Sequence, residues 1–266
     1  MTAKATTIKT RVTPPETIRD TFTVAKRNLL RIVRLPQLLV FSTIQPVMFV
    51  LLFAYVFGGA ISIPGVNYID FLMAGIFVQT AIFGATNTAI GLTEDLQAGI
   101  VDRFRSLPMA RSAVLAGRTG SDAARNLFVV LLMVGVGFLI GFRFHAGFLP
   151  AFGAIALAVA VGYAFSWVMA TIGLAVKTSE AAQAAGFIPI FPLVFASSAF
   201  VPVETMPNWL QVFAENQPVT RFVDAMRALI LGGPTATPVS YAVLWLAILL
   251  AIFIPLSVRL YRRSAQ

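Results

Sequence analysis

The chain has 266 residues, of which 58% are hydrophobic and 12% charged, with a net charge of +9. Such a balance excludes an ordinary soluble domain. The absence of cysteine excludes disulfides, thiolate metal sites and cysteine nucleophiles.

Residues 1–16 are Thr- and Lys-rich with few apolar side chains and read as a disordered cytoplasmic tail. No apolar h-region precedes the first long apolar stretch, so no cleavable signal peptide is expected. Residues 17–37 change character: Ile18, Phe22, Ala25, Leu29, Ile32 and Val33 recur at helical spacing, with Arg19, Lys26, Arg27, Arg31 and Arg34 mainly off that stripe. This pattern predicts an amphipathic helix lying in the headgroup layer, its cations near anionic lipid. Pro36 ends it.

Six apolar stretches follow within residues 38–258: Leu38–Phe57, Phe71–Leu92, Leu127–Phe142, Phe148–Val176, Ala181–Phe200 and Tyr241–Val258. About 20 apolar residues cross the hydrocarbon of a bilayer, so the fold class is all-α and polytopic with six spans. None of the six carries an interior charge. Of the 20 Lys and Arg residues, only Arg143, Arg221 and Arg227 fall in the alternate loops. That bias places both termini, including the tail 259–266, in the cytoplasm, and reads the charge as topology with no nucleic-acid partner. The localisation it predicts is the cell membrane.

The substantial cytoplasmic loop, residues 94–125, alternates acids, bases and apolar residues, a composition suited to docking a soluble partner, and after Pro108 a helix from about Ser112 leads into the third stretch. On the outer side, residues 201–238 contain two amphipathic segments. One opens at Pro207-Asn208-Trp209, with Trp209 placed for an interfacial belt. The other opens at Pro218 and carries Val219, Phe222, Val223, Met226, Leu229 and Ile230 at helical spacing until Gly232-Gly233-Pro234. Together they predict a hairpin dipping back into the outer leaflet, which requires its backbone polar groups to be satisfied by protein. Pro189 and Pro192, three residues apart in the fifth stretch, predict a bent or partly unwound helix and a candidate moving part, or a static kink.

Catalytic signatures are missing. There is no P-loop, no His-Glu-x-x-His and no Gly-x-Ser-x-Gly, and the lone His145 reads as interfacial rather than as a metal ligand. A proton- or sodium-driven carrier needs an ionisable group in the membrane, so charge-free spans count against ion coupling. Within the second stretch Gln79, Phe83, Thr86, Asn87 and Ile90 share one helical face, and Gln45 stands beside Pro46 in the first. This set lines either a pathway for a bulky amphipathic solute or a dimer interface, the plainer alternative being hydrogen bonding between helices.

The order Glu94, Gly99, Arg103, Leu107, Pro108, Arg111, Gly117, Arg118 in the cytoplasmic loop resembles the permease subunits of type-2 ABC exporters, in particular their daunorubicin-resistance-like branch. So does the run from Phe200-Val201-Pro202 through Met206-Pro207-Trp209 to Asn216-Gln217-Pro218-Val219-Thr220 and Ala225-Met226-Arg227. The motifs are individually loose, but their order covers nearly the whole chain. The resemblance implies a permease paired with a second copy or a paralogue, no cofactor on this chain, and ATP and Mg bound by a separate ATPase subunit. It implies that Glu94, Asp95, Gly99, Arg103, Arg105, Leu107, Pro108 and Arg111 couple to that ATPase, and that Pro189, Pro192, Trp209, Pro218 and Phe222 belong to an outer gate or hairpin. The solute would be a drug, antibiotic, lipid or glycan. Alternatives are an ion-coupled carrier, a scaffold, and an integral-membrane enzyme or accessory protein for lipid-linked substrates. The enzyme would have to draw on Glu204, Glu215 and Asp224, whose spacing matches no catalytic set.

Overall fold

A computed structural model describes residues 14–34, 36–58, 65–100 and 111–263, which form helices without a strand among them. In chain order these are α1 Pro14–Arg34, α2 Pro36–Leu52, α3 Tyr68–Gln97, α4 Arg111–Leu139, α5 Phe148–Ala175, α6 Ser179–Phe195, α7 Asn208–Asn216, α8 Pro218–Leu231 and α9 Ala236–Arg263. A π-helical turn, Phe53–Phe57, extends α2. Among the described residues α3, α5, α9 and the segment Ala113–Leu139 of α4 are long and apolar enough to cross a membrane, while Thr43–Val56 and Ser179–Phe195 are shorter apolar helices.

Helix α3 is the axis of the bundle. It packs on α2, α4, α5, α6 and α8, and Leu72, Met73, Ala74, Ile76, Val78, Ile82 and Ala89 have no measurable exposure. Water cannot drive association between apolar helices in lipid, so van der Waals contact between closely approaching backbones must do it. The sequence supplies small residues for that purpose: Gly173 of α5 lies against the backbone of Ala89, leaving no room for a Cβ. Thr93 of α3 then donates to the Gly173 carbonyl at 3.0 Å, tying the same crossing by a hydrogen bond.

The amphipathic helix α1 packs on α4, but through a face the apolar pattern did not single out. Val24 and Asn28 are buried there, and Gly117 of α4 meets Thr21 and Val24. Phe22 of the apolar stripe is turned aside, 72% exposed, and Lys26 and Arg27 are exposed beyond it. Packing thus used Val24 and Asn28, off the stripe, for the contact with α4.

Helix α4 begins at Arg111 and continues unbroken into the third apolar stretch, in line with a helix leading from about Ser112 into that stretch, so Arg118, Asp122 and Arg125 belong to the helix that carries it. Arg125 is 14 residues from Leu139, about 21 Å along the axis, and its side chain is only 10% exposed. The bundle is therefore not free of interior charge. Helix α6, in turn, does not unwind at its prolines: it runs through Pro189 and Pro192, both exposed, and stops at Phe195.

The segment between α6 and α9 is the most compactly used. Pro218 stands at the first position of α8, and the Gln217 side chain accepts from Val219 N at 2.9 Å while donating to the Leu193 carbonyl at 3.0 Å. Val219, Phe222, Val223, Met226 and Ile230 are fully buried against the bundle. Gly232 and Gly233 end the helix at positive φ, a conformation open to glycine at no steric cost. Helix α7, by contrast, leaves Trp209, Val212 and Phe213 exposed.

Candidate functional site

A cavity of about 240 Å³ opens between α2, α3, α4 and α6. All five residues expected on a pathway or dimer face, Gln45, Gln79, Phe83, Thr86 and Asn87, line it. Helix α3 contributes one continuous face, because residues 79, 83, 86, 87 and 90 stack on successive turns. Phe83 meets Phe187 of α6 with ring centroids 5.5 Å apart. From Phe49, which also lines the cavity, an aromatic file continues through Phe53, Phe200 and Phe195, with centroid spacings of 6.0, 4.5 and 5.2 Å.

The polar groups of the cavity are unevenly satisfied. Thr86 donates to the Phe83 carbonyl at 2.7 Å, and Asn87 to the Gly84 carbonyl at 3.1 Å. Gln79 is 4% exposed, and its Oε1 is buried without a hydrogen-bond partner. Arg125 and Asn126 enter from α4, although the sequence reading assigned neither to the cavity. Arg125 donates from Nη2 to the Gly84 carbonyl at 2.6 Å, and its Nε has no partner.

Arg125 is also the end of a chain of charges. Thr88 donates to Asp122 Oδ2 at 2.6 Å; Arg118 Nε and Arg125 Nη2 approach the same carboxylate at 3.9 Å. Arg118 Nη1 donates to Asp95 Oδ2 at 2.9 Å, and Arg27 of α1 stands 3.7 Å from that oxygen. The helices α1, α3 and α4 are thereby joined by ion pairs whose members, Arg27 apart, have side chains no more than 14% exposed. Asp95, expected to couple to a partner, is paired with Arg118 within the bundle. Glu94, Asp95 and Arg27 line a second hollow together with Ala98 and Ile100. Gly99 lies in the turn after α3 and Arg111 opens α4. Arg103, Arg105, Leu107 and Pro108 lie outside the described residues.

Of the residues expected at an outer gate or hairpin, Pro189, Pro192 and Trp209 are exposed, Pro218 starts α8, and Phe222 is buried in the core. A different outer cluster forms instead. Ser198 donates to Asp224 Oδ1 at 3.1 Å, and Arg227 donates to the Ser198 carbonyl while its guanidinium carbon lies 3.5 Å from the centroid of the Phe71 ring. Burial pushes the Asp224 carboxyl above its ordinary range, opposed by Arg227 and the Ser198 hydrogen bond. Burial also brings Arg227 down to about 10 against the pull of Asp224. His145 is not a bare interfacial residue either: its Nε2 lies 2.7 Å from Asp70 Oδ2, while Arg143 N donates to Asp70 Oδ1 at 3.0 Å. Among the described residues no group of three His, Cys, Asp or Glu could hold a metal ion.

An all-helical bundle with several membrane-length helices and a polar, Phe-lined cavity defines a multi-pass membrane protein. Residues 19–231 match the family model described as "ABC-2 type transporter", and the chain belongs to that family. It is 34% identical to the daunorubicin resistance ABC transporter permease protein DrrB1 of Streptomyces coeruleorubidus, over 93% of this chain and 87% of that one. The probable doxorubicin resistance ABC transporter permease protein DrrC of Mycobacterium tuberculosis is 31% identical over 71% of this chain and 68% of its own. The putative transport permease ycf38 of Cyanophora paradoxa is 27% identical over 80% and 74%. The chain is accordingly a permease subunit of an ABC exporter.

Proposed function

We propose that this permease works as one of a pair, as two copies or with a paralogue, and that a separate ATPase subunit binding ATP and Mg drives it. The pair moves a hydrophobic or amphipathic solute, a class that includes the drugs named in its relatives. Six crossings are completed by α2 and α6, which pack beside α3, and the α7–α8 segment re-enters the outer leaflet. Both termini then lie in the cytoplasm, and α1 lies in the headgroup layer with its exposed Phe22 toward lipid.

The observation that carries this reading is the cavity bounded by α2, α3, α4 and α6, where amide and hydroxyl groups alternate with Phe rings. A polar lining with aromatic faces suits a bulky solute with an apolar body and a few polar groups. The loop following α3 seats on the ATPase. Its motion reaches the cavity through the Asp95–Arg118–Asp122–Arg125 chain, because the two ends of that chain line the two hollows.

The test is co-expression with an ABC ATPase encoded beside it, followed by co-purification and efflux of daunorubicin or doxorubicin. Charge reversal by Glu94→Lys and Arg103→Glu should weaken capture of the ATPase and abolish ATP-dependent efflux while the permease still purifies as a folded protein. Full capture and efflux in that double variant would sink the coupling assignment.

A further inference from the structure

We propose that Phe49, Phe53, Phe195 and Phe200 form a stacking subsite at the end of the cavity for the flat aromatic body of a solute. The subsite selects planar fused-ring amphiphiles over bent ones of equal hydrophobicity. The inference rests on reading the cavity as part of the solute path and adds the shape of solute that the path prefers.

The four rings make a closed loop across the seam between α2 and α6. Three of its sides, Phe49–Phe53, Phe53–Phe200 and Phe200–Phe195, are stacked, with planes 12°, 17° and 22° apart. The fourth side, from Phe49 to Phe195, is not: its planes cross at 51° with centroids 6.3 Å apart. A ring clasped between two others needs them about 7 Å apart, twice the carbon contact distance. The open side falls short of that spacing by about 1 Å, and Phe49 at its edge lines the cavity. A flat body entering from the cavity completes the one stack that the loop lacks.

The two walls of the seam differ in stiffness, which lets this side open. The end of α6 is held. Gln217 donates to the Leu193 carbonyl at 3.0 Å, Ser198 N donates to Thr220 Oγ1 at 3.3 Å, and the Ala199 carbonyl stands where a Cβ at Gly75 of α3 would be. Helix α2 is the looser wall. Pro46 takes a hydrogen bond out of it, and it ends in the π-helical turn Phe53–Phe57, a form rare in helices and concentrated at functional sites. Among the described residues α2 and α6 both pack on α3 and meet each other chiefly through these rings.

The head of the solute is not read by its charge. Arg125 is little exposed and lies 3.9 Å from Asp122, so a head group meets the exposed amides of Gln45, Asn87 and Gln183 in the cavity. A primary amide accepts from an ammonium or a hydroxyl and donates to a carbonyl, which accommodates an amine.

Two amines on one carbon skeleton test this: 9-(aminomethyl)anthracene, which is flat, and 9-(aminomethyl)-9,10-dihydroanthracene, which is folded along its central ring. Binding of the first to the full chain in phosphatidylcholine nanodiscs is read by fluorescence anisotropy against empty discs, and binding of the second by displacement of the first. The flat amine should bind about fivefold more tightly, on the order of one stacked aromatic pair. Phe195 belongs to the seam and not to the residues lining the cavity. Phe195→Leu should therefore bring the ratio near one, and Phe195→Tyr should keep it. Phe144→Leu, in the separate ring cluster with Phe138 and Phe142, should leave it unchanged. Gln183→Trp, in the cavity, should weaken both amines together.

A ratio of one in the unaltered chain overturns the proposal, whether or not Phe195→Leu folds. So does a ratio that Phe195→Leu leaves intact, or one that Phe144→Leu abolishes as well. If Gln183→Trp weakens both amines and the ratio is one, the cavity reading stands and the stacking subsite falls. If Gln183→Trp leaves both amines unaffected, the cavity is not the binding site and both readings fall.

Discussion

Arg118 of α4 places its guanidinium 2.9 Å from the Asp95 carboxylate of α3, and that contact fixes the two helices at the end of the bundle next to the loop that joins them. Both side chains are nearly buried, at 14% and 9% exposure. Removing one partner of a buried pair leaves an uncompensated charge, which costs about 3–5 kcal/mol, whereas removing both costs much less. Arg118→Ala and Asp95→Ala should each lower the thermal stability of the detergent-solubilised protein by about that amount. The double variant should be more stable than the sum of the two predicts, by roughly 1–3 kcal/mol. Additive losses would mean that the pair contributes nothing as a pair.

Gly91 supplies the room for that contact. A Cβ there would run into the Arg118 guanidinium, which supplies its three nearest heavy atoms. Gly91→Ala should therefore push Arg118 off Asp95 and destabilise by about 1–3 kcal/mol, the range for overpacking. In an Arg118→Ala background the same substitution should be neutral or slightly stabilising, since Ala is the better helix former by about 1 kcal/mol. A cost that persists without Arg118 would refute this account of the glycine.

The apolar periodicity made the spans and the buried face of α8 legible. Val219, Phe222, Val223, Met226 and Ile230 recur at helical spacing, and all are buried. It also made the cavity face of α3 legible, since five residues at that spacing must share a side. What it hid were charges at the ends of apolar stretches. Arg125 precedes Leu127, where the third stretch was taken to begin, so hydropathy left it outside the span although one helix carries both. The pairings of Asp70, Asp95 and Asp224 were silent as well. Their partners Arg143 and His145, Arg118, and Ser198 come from other elements, and no local pattern reports a pairing made across the bundle. The contact face of α1 was hidden for the same reason: Val24, off the apolar stripe, is buried because Gly117 of α4 meets it.

Asp224 makes stability depend on pH. Burial raises its carboxyl above the usual 3.8, so the folded protein holds a proton that the unfolded chain has released. Across the window from about 4 up to the raised value, the native state binds more protons, and stability falls as pH rises. Asp224→Asn removes the titration but keeps a partner for the Ser198 hydroxyl, so the variant should show a flatter stability profile over that window. Thermal unfolding at a series of pH values measures it. An unchanged slope in Asp224→Asn would assign the effect to another group.

The orientation follows from charge and can be read chemically, because the chain has no cysteine to remove first. Lys177 lies exposed between α5 and α6, and Thr205 lies exposed before α7. These two loops are separated by α6, so a single crossing by that helix must put them on opposite sides. The positive-inside bias assigns the Lys177 side to the cytoplasm. In intact cells a membrane-impermeant maleimide should label Thr205→Cys and spare Lys177→Cys until the membrane is opened. The reverse pattern would invert the molecule, and labelling of both from outside would mean that α6 does not cross.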